Sequence, residues 1–128
     1  MNESIRQQID LDLATYEAMA LEGAELQGAI LRRQRLLDSL EAEAVVYVNE
    51  CRAPDGKLTF SNAEVRAAGA RRWLEESSMG WLTHSRDQEE GQMRLLIVKA
   101  HQETARERVH AIRDLMRYEA AMIAEVKE

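Results

Sequence analysis

Apolar residues recur along the first fifty positions at helical spacing. Ile9, Tyr16, Gly23, Ile30, Leu37, Ala44 and Cys51 form a strict seven-residue series, and Met19, Leu26, Leu40 and Tyr47 each lie three residues after a member of it. Together they make an a/d seam of coiled-coil type, widened by Leu13, Ala20 and Val48. Asp12 and Arg33 occupy d positions, and Gly23 leaves a gap at an a position. Defects of this kind fix register or admit a partner's side chain, at a cost in stability. No proline interrupts the run before Pro54. One helix is therefore expected over residues 3–50, roughly 70 Å long at the α-helical rise.

Arg52-Ala53-Pro54-Asp55-Gly56-Lys57 ends that helix. Ala53 precedes proline and is pushed out of the helical region. Pro-Asp-Gly is a turn signal, because proline presets φ and glycine supplies φ > 0. Leu58-Thr59-Phe60 reads as extended and too short for a sheet. Ser61-Asn62-Ala63-Glu64 reads as a capping box, with the Ser61 hydroxyl accepting from the Glu64 amide. It opens a short helix over 62–76, which Ser77-Ser78-Met79-Gly80 breaks, with Gly80 as its C-terminal cap. A second long helix is expected over 81–126. Its seam is Leu95, Gln102, Val109, Met116 and Ile123 with Val98, Ala105, Ile112, Glu119 and Val126. Gly91 is a soft spot where it could bend or start.

The pattern predicts an all-α chain, a single helical domain over 1–128. Two long helices form an elongated antiparallel, coiled-coil-like hairpin, and 51–61 is the turn before the short capped helix. Two helices bury one stripe each, so apolar surface is left over. That predicts a homo-oligomer, with Ile30, Leu37, Leu40, Val109, Ile112, Leu115, Met116 and Ile123 as its interface.

Composition narrows the class further. The 128 residues are 45% apolar and 31% charged, with one proline and one cysteine. That excludes a disordered tail, a disulfide framework and a cysteine zinc site. No apolar stretch approaches a membrane span, and no basic-then-apolar leader is visible at the N-terminus, so a soluble chain in a reducing compartment is expected. The net charge of -6 is uneven. Residues 1–50 carry 4 basic and 10 acidic groups, residues 51–78 carry 5 and 4, and residues 79–128 carry 8 and 9. In the first arm, Asp10, Glu17, Glu22 and Glu25 repel nucleic acid or simply form a solvated face.

In the middle segment Lys57, Arg66, Arg71 and Arg72 surround Phe60 and Trp73. Basic side chains with interleaved aromatics follow a phosphate backbone while a ring stacks on a base. The other reading, the favoured one from these residues alone, is that Trp73 plugs the end of the hairpin and the arginines are only exposed. On the last helix, Lys99, Arg106 and Arg113 share one heptad position with Arg117 a turn beyond. They either form a basic stripe or, as the favoured reading, pair with the acidic first arm.

Chemistry-bearing motifs are few. There is no phosphate loop, no nucleophile triad and no nucleotide fingerprint. His84, His101 and His110 share no metal-ligand spacing. Glu107 and His110 form a Glu-x-x-His pair, but a helical carboxylate metal site needs a second pair, and the sequence has none. Cys51 beside Arg52 reads as a small packed residue, and Trp81 and the methionines as filler. No catalytic residue, cofactor, metal or small-molecule substrate is expected, and the chain is read as a non-enzyme.

The segment Gly56-Lys57-Leu58-Thr59-Phe60-Ser61-Asn62-Ala63-Glu64-Val65-Arg66, with the closing run from Ala105 to Arg117, resembles bacteriophage recombination mediators of the UvsY type. The resemblance implies a helical oligomer that binds single-stranded DNA and helps load a recombinase while displacing a single-strand-binding protein. It points to Lys57, Arg66, Arg71 and Arg72 as the DNA contact, with Trp73 added by the aromatic reading above, and to the last helix as the assembly element. It also implies a cytoplasmic protein, in the host cell if phage-encoded. The alternative is a structural or adaptor coiled coil that binds a protein partner and no nucleic acid.

Overall fold

The computed structural model describes residues 3–127. The protein is all-α: α1 spans Glu3–Glu50, α2 spans Ala63–Glu76 and α3 spans Trp81–Lys127. Among the described residues there is no sheet, only an isolated antiparallel bridge between Arg52 and Leu58. No helix among them is long and apolar enough to cross a membrane.

The chain divides into two compact units. In the unit Gly28–Gln92, the second half of α1 packs against α2 and the first turns of α3. Leu37, Ala44, Leu74 and Trp81 form the buried core, with Leu40, Ala70 and Trp73 packed against it. The seam follows the expected positions to Ala44 and then steps four residues to Val48, which is buried, leaving Tyr47 exposed. Arg33, at its d position, fixes register here rather than admitting a partner. Its Nη1 donates to the Asp87 carbonyl and to Gln88 Oε1, both at 3.1 Å. Gln88 Nε2 in turn donates to the Ile30 carbonyl at 2.9 Å and to Gln34 Oε1 at 3.2 Å. Gly91 lies inside a continuous helix, where an added Cβ would come within 3.3 Å of Arg33 and 3.5 Å of Ile30.

The connection 51–62 is held by its own backbone. Gly56 N–H donates to the Ala53 carbonyl at 2.9 Å, and Gly56 takes φ +82°. The turn has proline at its second position and a left-handed glycine after it. Asp55 accepts from the Lys57 amide at 2.9 Å. Asn62, not Ser61, caps α2: its Oδ1 accepts from the Val65 amide at 2.9 Å. The Ser61 box is displaced by one residue because asparagine is an equally good cap and stands closer to the helix. α2 closes on Ser77, whose N–H reaches the Trp73 carbonyl. Gly80, at φ +86°, instead sits immediately before α3 and accepts from the His84 amide.

The other unit, Met1–Gln27 with Met93–Glu128, is an antiparallel pair of helix segments. Val98, Ala105 and Val109 are buried. Gly23 lets α3 approach, its would-be Cβ lying 3.7 Å from Val98 and 3.9 Å from Leu95. Asp12 is buried at its d position: Oδ1 accepts from Gln8 at 3.2 Å, and Oδ2 is a buried atom with no hydrogen-bond partner.

The charge pairing expected between the arms is sparse. Among the described residues the ion pair joining α1 to α3 is Glu22–Arg94, at 2.7 Å. Arg106 instead turns to Glu103 and Arg117 to Asp114, each on its own helix.

Candidate functional site

α2 places its residues 69, 72, 73 and 76 on one face, at helical i, i+3, i+4, i+7 spacing. That face closes a cleft of about 270 Å³ with Tyr47 from the end of α1 and Phe60 from the connection. The lining is Tyr47, Phe60, Gly69, Arg72, Trp73, Glu76 and Ser77. Tyr47 and Trp73 are stacked, 5.8 Å apart at 25°, and Tyr47 meets Phe60 at 6.1 Å and 58°. Phe60 lies against α2 only because residue 69 is glycine. A Cβ there would fall 2.3 Å from a ring carbon.

Of the five residues expected to touch nucleic acid, Arg72 and Trp73 line this cleft. Arg66 lies one turn before Gly69 on the same side of α2, and Lys57 is exposed in the connection. Arg71 faces elsewhere: it pairs with Glu75 at 2.8 Å and covers the buried Trp81 ring at 5.6 Å. Its side chain is mostly exposed and stands outside the cleft lining. Arg72 pairs with Glu76 at 3.2 Å, with both side chains mostly exposed. Exposed i,i+4 pairs contribute about 0.3–0.5 kcal/mol, little enough for a phosphate to replace Glu76. Trp73 is half-buried against the core, so it both plugs this end and offers part of its ring to the cleft.

Tyr47 was hidden in the sequence by its heptad position. Only the step of the seam to Val48 turns its ring outward. Its phenol is held above the ordinary 10.0 by Cys51 one turn later, first through charge, then through the hydrogen bond between the two side chains, with burial adding.

The expected oligomer interface is divided by the fold. Leu37 and Val109 are buried inside their own units and Leu40 packs against a core, so these three are consumed within the protomer. Ile30, Ile112 and Met116 are half-buried, and Leu115 and Ile123 are exposed. No cluster of three metal-ligating side chains occurs among the described residues. No family model matches the chain, and comparisons with curated proteins and with solved structures find no significant match.

Proposed function

We propose that this is a non-enzymatic, self-associating helical accessory protein that holds single-stranded nucleic acid at the α2 end of its Gly28–Gln92 unit. The aromatic cleft carries this reading: three rings converge beside a loosely paired arginine. A ring face offered to a base is tolerant of sequence, and a neighbouring cation follows the backbone. Residues 51–78 are also the stretch of the chain with net positive charge. A role alongside recombination proteins fits the resemblance noted for residues 56–66. Self-association is supported by the exposed apolar side chains Leu115, Met122, Ile123 and Val126 near the end of α3.

The second reading, a protein-binding adaptor, is favoured by Arg71 and Arg72 both being engaged by glutamates and by the acidic α1. Fluorescence anisotropy of a labelled single-stranded oligonucleotide separates the two. With Lys57, Arg66 and Arg72 as phosphate contacts, log affinity falls against log salt with a slope of about -2. Arg66→Ala with Arg72→Ala flattens it to about -0.7. No binding at low salt, or an unchanged slope in the double variant, rejects the nucleic-acid reading and leaves the adaptor.

A further inference from the structure

Lys99, Arg106 and Arg113 recur every seven residues along one edge of the seam that α3 makes with α1. Coiled coils commonly set acids across from such an edge. Here α1 sets Leu13 there. A groove of about 190 Å³ opens between the two helices, lined by Leu13 and Tyr16 from α1 and by Arg106, Val109, His110 and Arg113 from α3. All six belong to the unit Met1–Gln27 with Met93–Glu128, and no carboxylate is in the lining.

The cations of this groove are available. The His110 and Arg113 side chains are exposed and enter no ion pair or hydrogen bond among the described residues. Arg106 reaches Glu103 only at 3.7 Å, with both side chains more than half exposed. A contact that long between exposed groups contributes almost nothing. Asp10 and Glu17, about one turn to either side of Leu13, form no ion pair with this edge among the described residues.

We propose that this groove binds the phosphate of a nucleotide. Arg106 and Arg113 are two helical turns apart, about 10 Å along the axis, with His110 between them. Two long side chains at that spacing converge on one anion over His110, whose ring N–H is a further donor. The planar guanidinium fork matches phosphate oxygens. The rest of the lining selects what the phosphate is attached to. Leu13 and Tyr16 are half-buried and Val109 is buried, so an apolar, partly aromatic wall stands beside the cations. A base or sugar ring packs there. The groove shares no residue with the α2 cleft, so it stands whether or not that cleft binds nucleic acid. A free mononucleotide and a nucleic-acid strand both present the required group.

Amide NMR shifts of the full chain at low salt test this, with circular dichroism as the folding control. Adenosine monophosphate is expected to move the amides of Leu13, Tyr16 and residues 106–113. Inorganic phosphate is expected to bind more weakly, and adenosine not at all. Arg106→Ala and Arg113→Ala are each expected to weaken nucleotide binding about tenfold with helicity unchanged. Arg108→Ala removes the same charge from the same helix outside the groove lining and is expected to leave binding unchanged. Tyr16→Leu is expected to reduce nucleotide binding to the level of inorganic phosphate. A short oligothymidylate without terminal phosphates separates the two sources. Tighter binding than the mononucleotide at the same amides supports the groove with a strand as its ligand, and weaker binding supports it with the free nucleotide. No localised shift at about 10 mM nucleotide overturns the proposal. So does adenosine binding as well as its monophosphate, or Arg108→Ala weakening binding as much as Arg106→Ala and Arg113→Ala.

Discussion

Gln88→Ala should remove the lock that sets the register of α1 against α3 in the Gly28–Gln92 unit. Gln88 is 5% exposed. Its Oε1 accepts from the Arg33 guanidinium, and its Nε2 donates to the Ile30 carbonyl and to Gln34. The charge-assisted bond is worth about 1.5–3 kcal/mol net. The bond to Ile30 adds about 0.5 kcal/mol, because that carbonyl already belongs to the helix ladder. The bond to the exposed Gln34 adds almost nothing, since water replaces it. Loss of the one buried Cγ methylene brings about 0.8 kcal/mol more. The expected destabilisation is about 3 kcal/mol, or roughly 10 °C in melting temperature for a chain of this size. The assay is urea unfolding followed at 222 nm at one fixed protomer concentration, since association is linked to stability. A cycle with Arg33→Ala should give a coupling of about 1.5 kcal/mol or more. A loss below about 0.5 kcal/mol, or a coupling near zero, would mean that the polar lock contributes no net stability and that packing alone sets the register.

Three further outcomes follow from single observations. Asp12→Leu should stabilise the protein by about 2 kcal/mol, because it replaces a buried carboxylate with an unpartnered oxygen by the residue a d position favours; a lower melting temperature would contradict this. Gly69→Ala should destabilise by about 1 kcal/mol in the wild type, where the new Cβ meets Phe60, and stabilise by about 1 kcal/mol in a Phe60→Ala background, where only helix propensity remains; equal effects in the two backgrounds would deny the contact. Cys51→Ala should lower the Tyr47 titration toward 10.0, read as the 295 nm phenolate difference against Tyr47→Phe. The folded value is raised, so this contribution to stability is complete below pH 10.0 and is lost as pH rises through the folded value. An unchanged midpoint would remove Cys51 as the cause.

The helices were legible because their signals are local and repeated. The seven-residue series and the absence of proline before Pro54 marked α1, whose bounds are Glu3–Glu50. Pro54 and Gly56 marked the turn through their own dihedral preferences. Single-residue choices were less legible. Ser61 and Asn62 are both good caps, and sequence does not say which one the incoming chain places over the first turn. Gly80 was read as ending α2, although a left-handed residue there serves equally to begin α3. The aromatic cleft depended on tertiary geometry. Trp73 and Phe60 stood out beside the arginines, whereas Tyr47 joined them only because the seam steps to Val48 against the shorter α2. Heptad position alone also sorted inside from outside poorly: Leu37 and Ile123 each belong to a seven-residue series, yet one fills a core and the other is exposed.

The central claim, that the aromatic end of the Gly28–Gln92 unit stacks on single-stranded nucleic acid, is tested most directly by tryptophan fluorescence. The chain has two tryptophans: Trp73 lines the cleft and Trp81 is buried in the core. Titration with a single-stranded oligonucleotide at low salt should quench the Trp81→Phe variant, in which Trp73 reports, and leave Trp73→Phe unquenched. Quenching of neither variant, or of Trp73→Phe to the same extent as Trp81→Phe, would contradict the account.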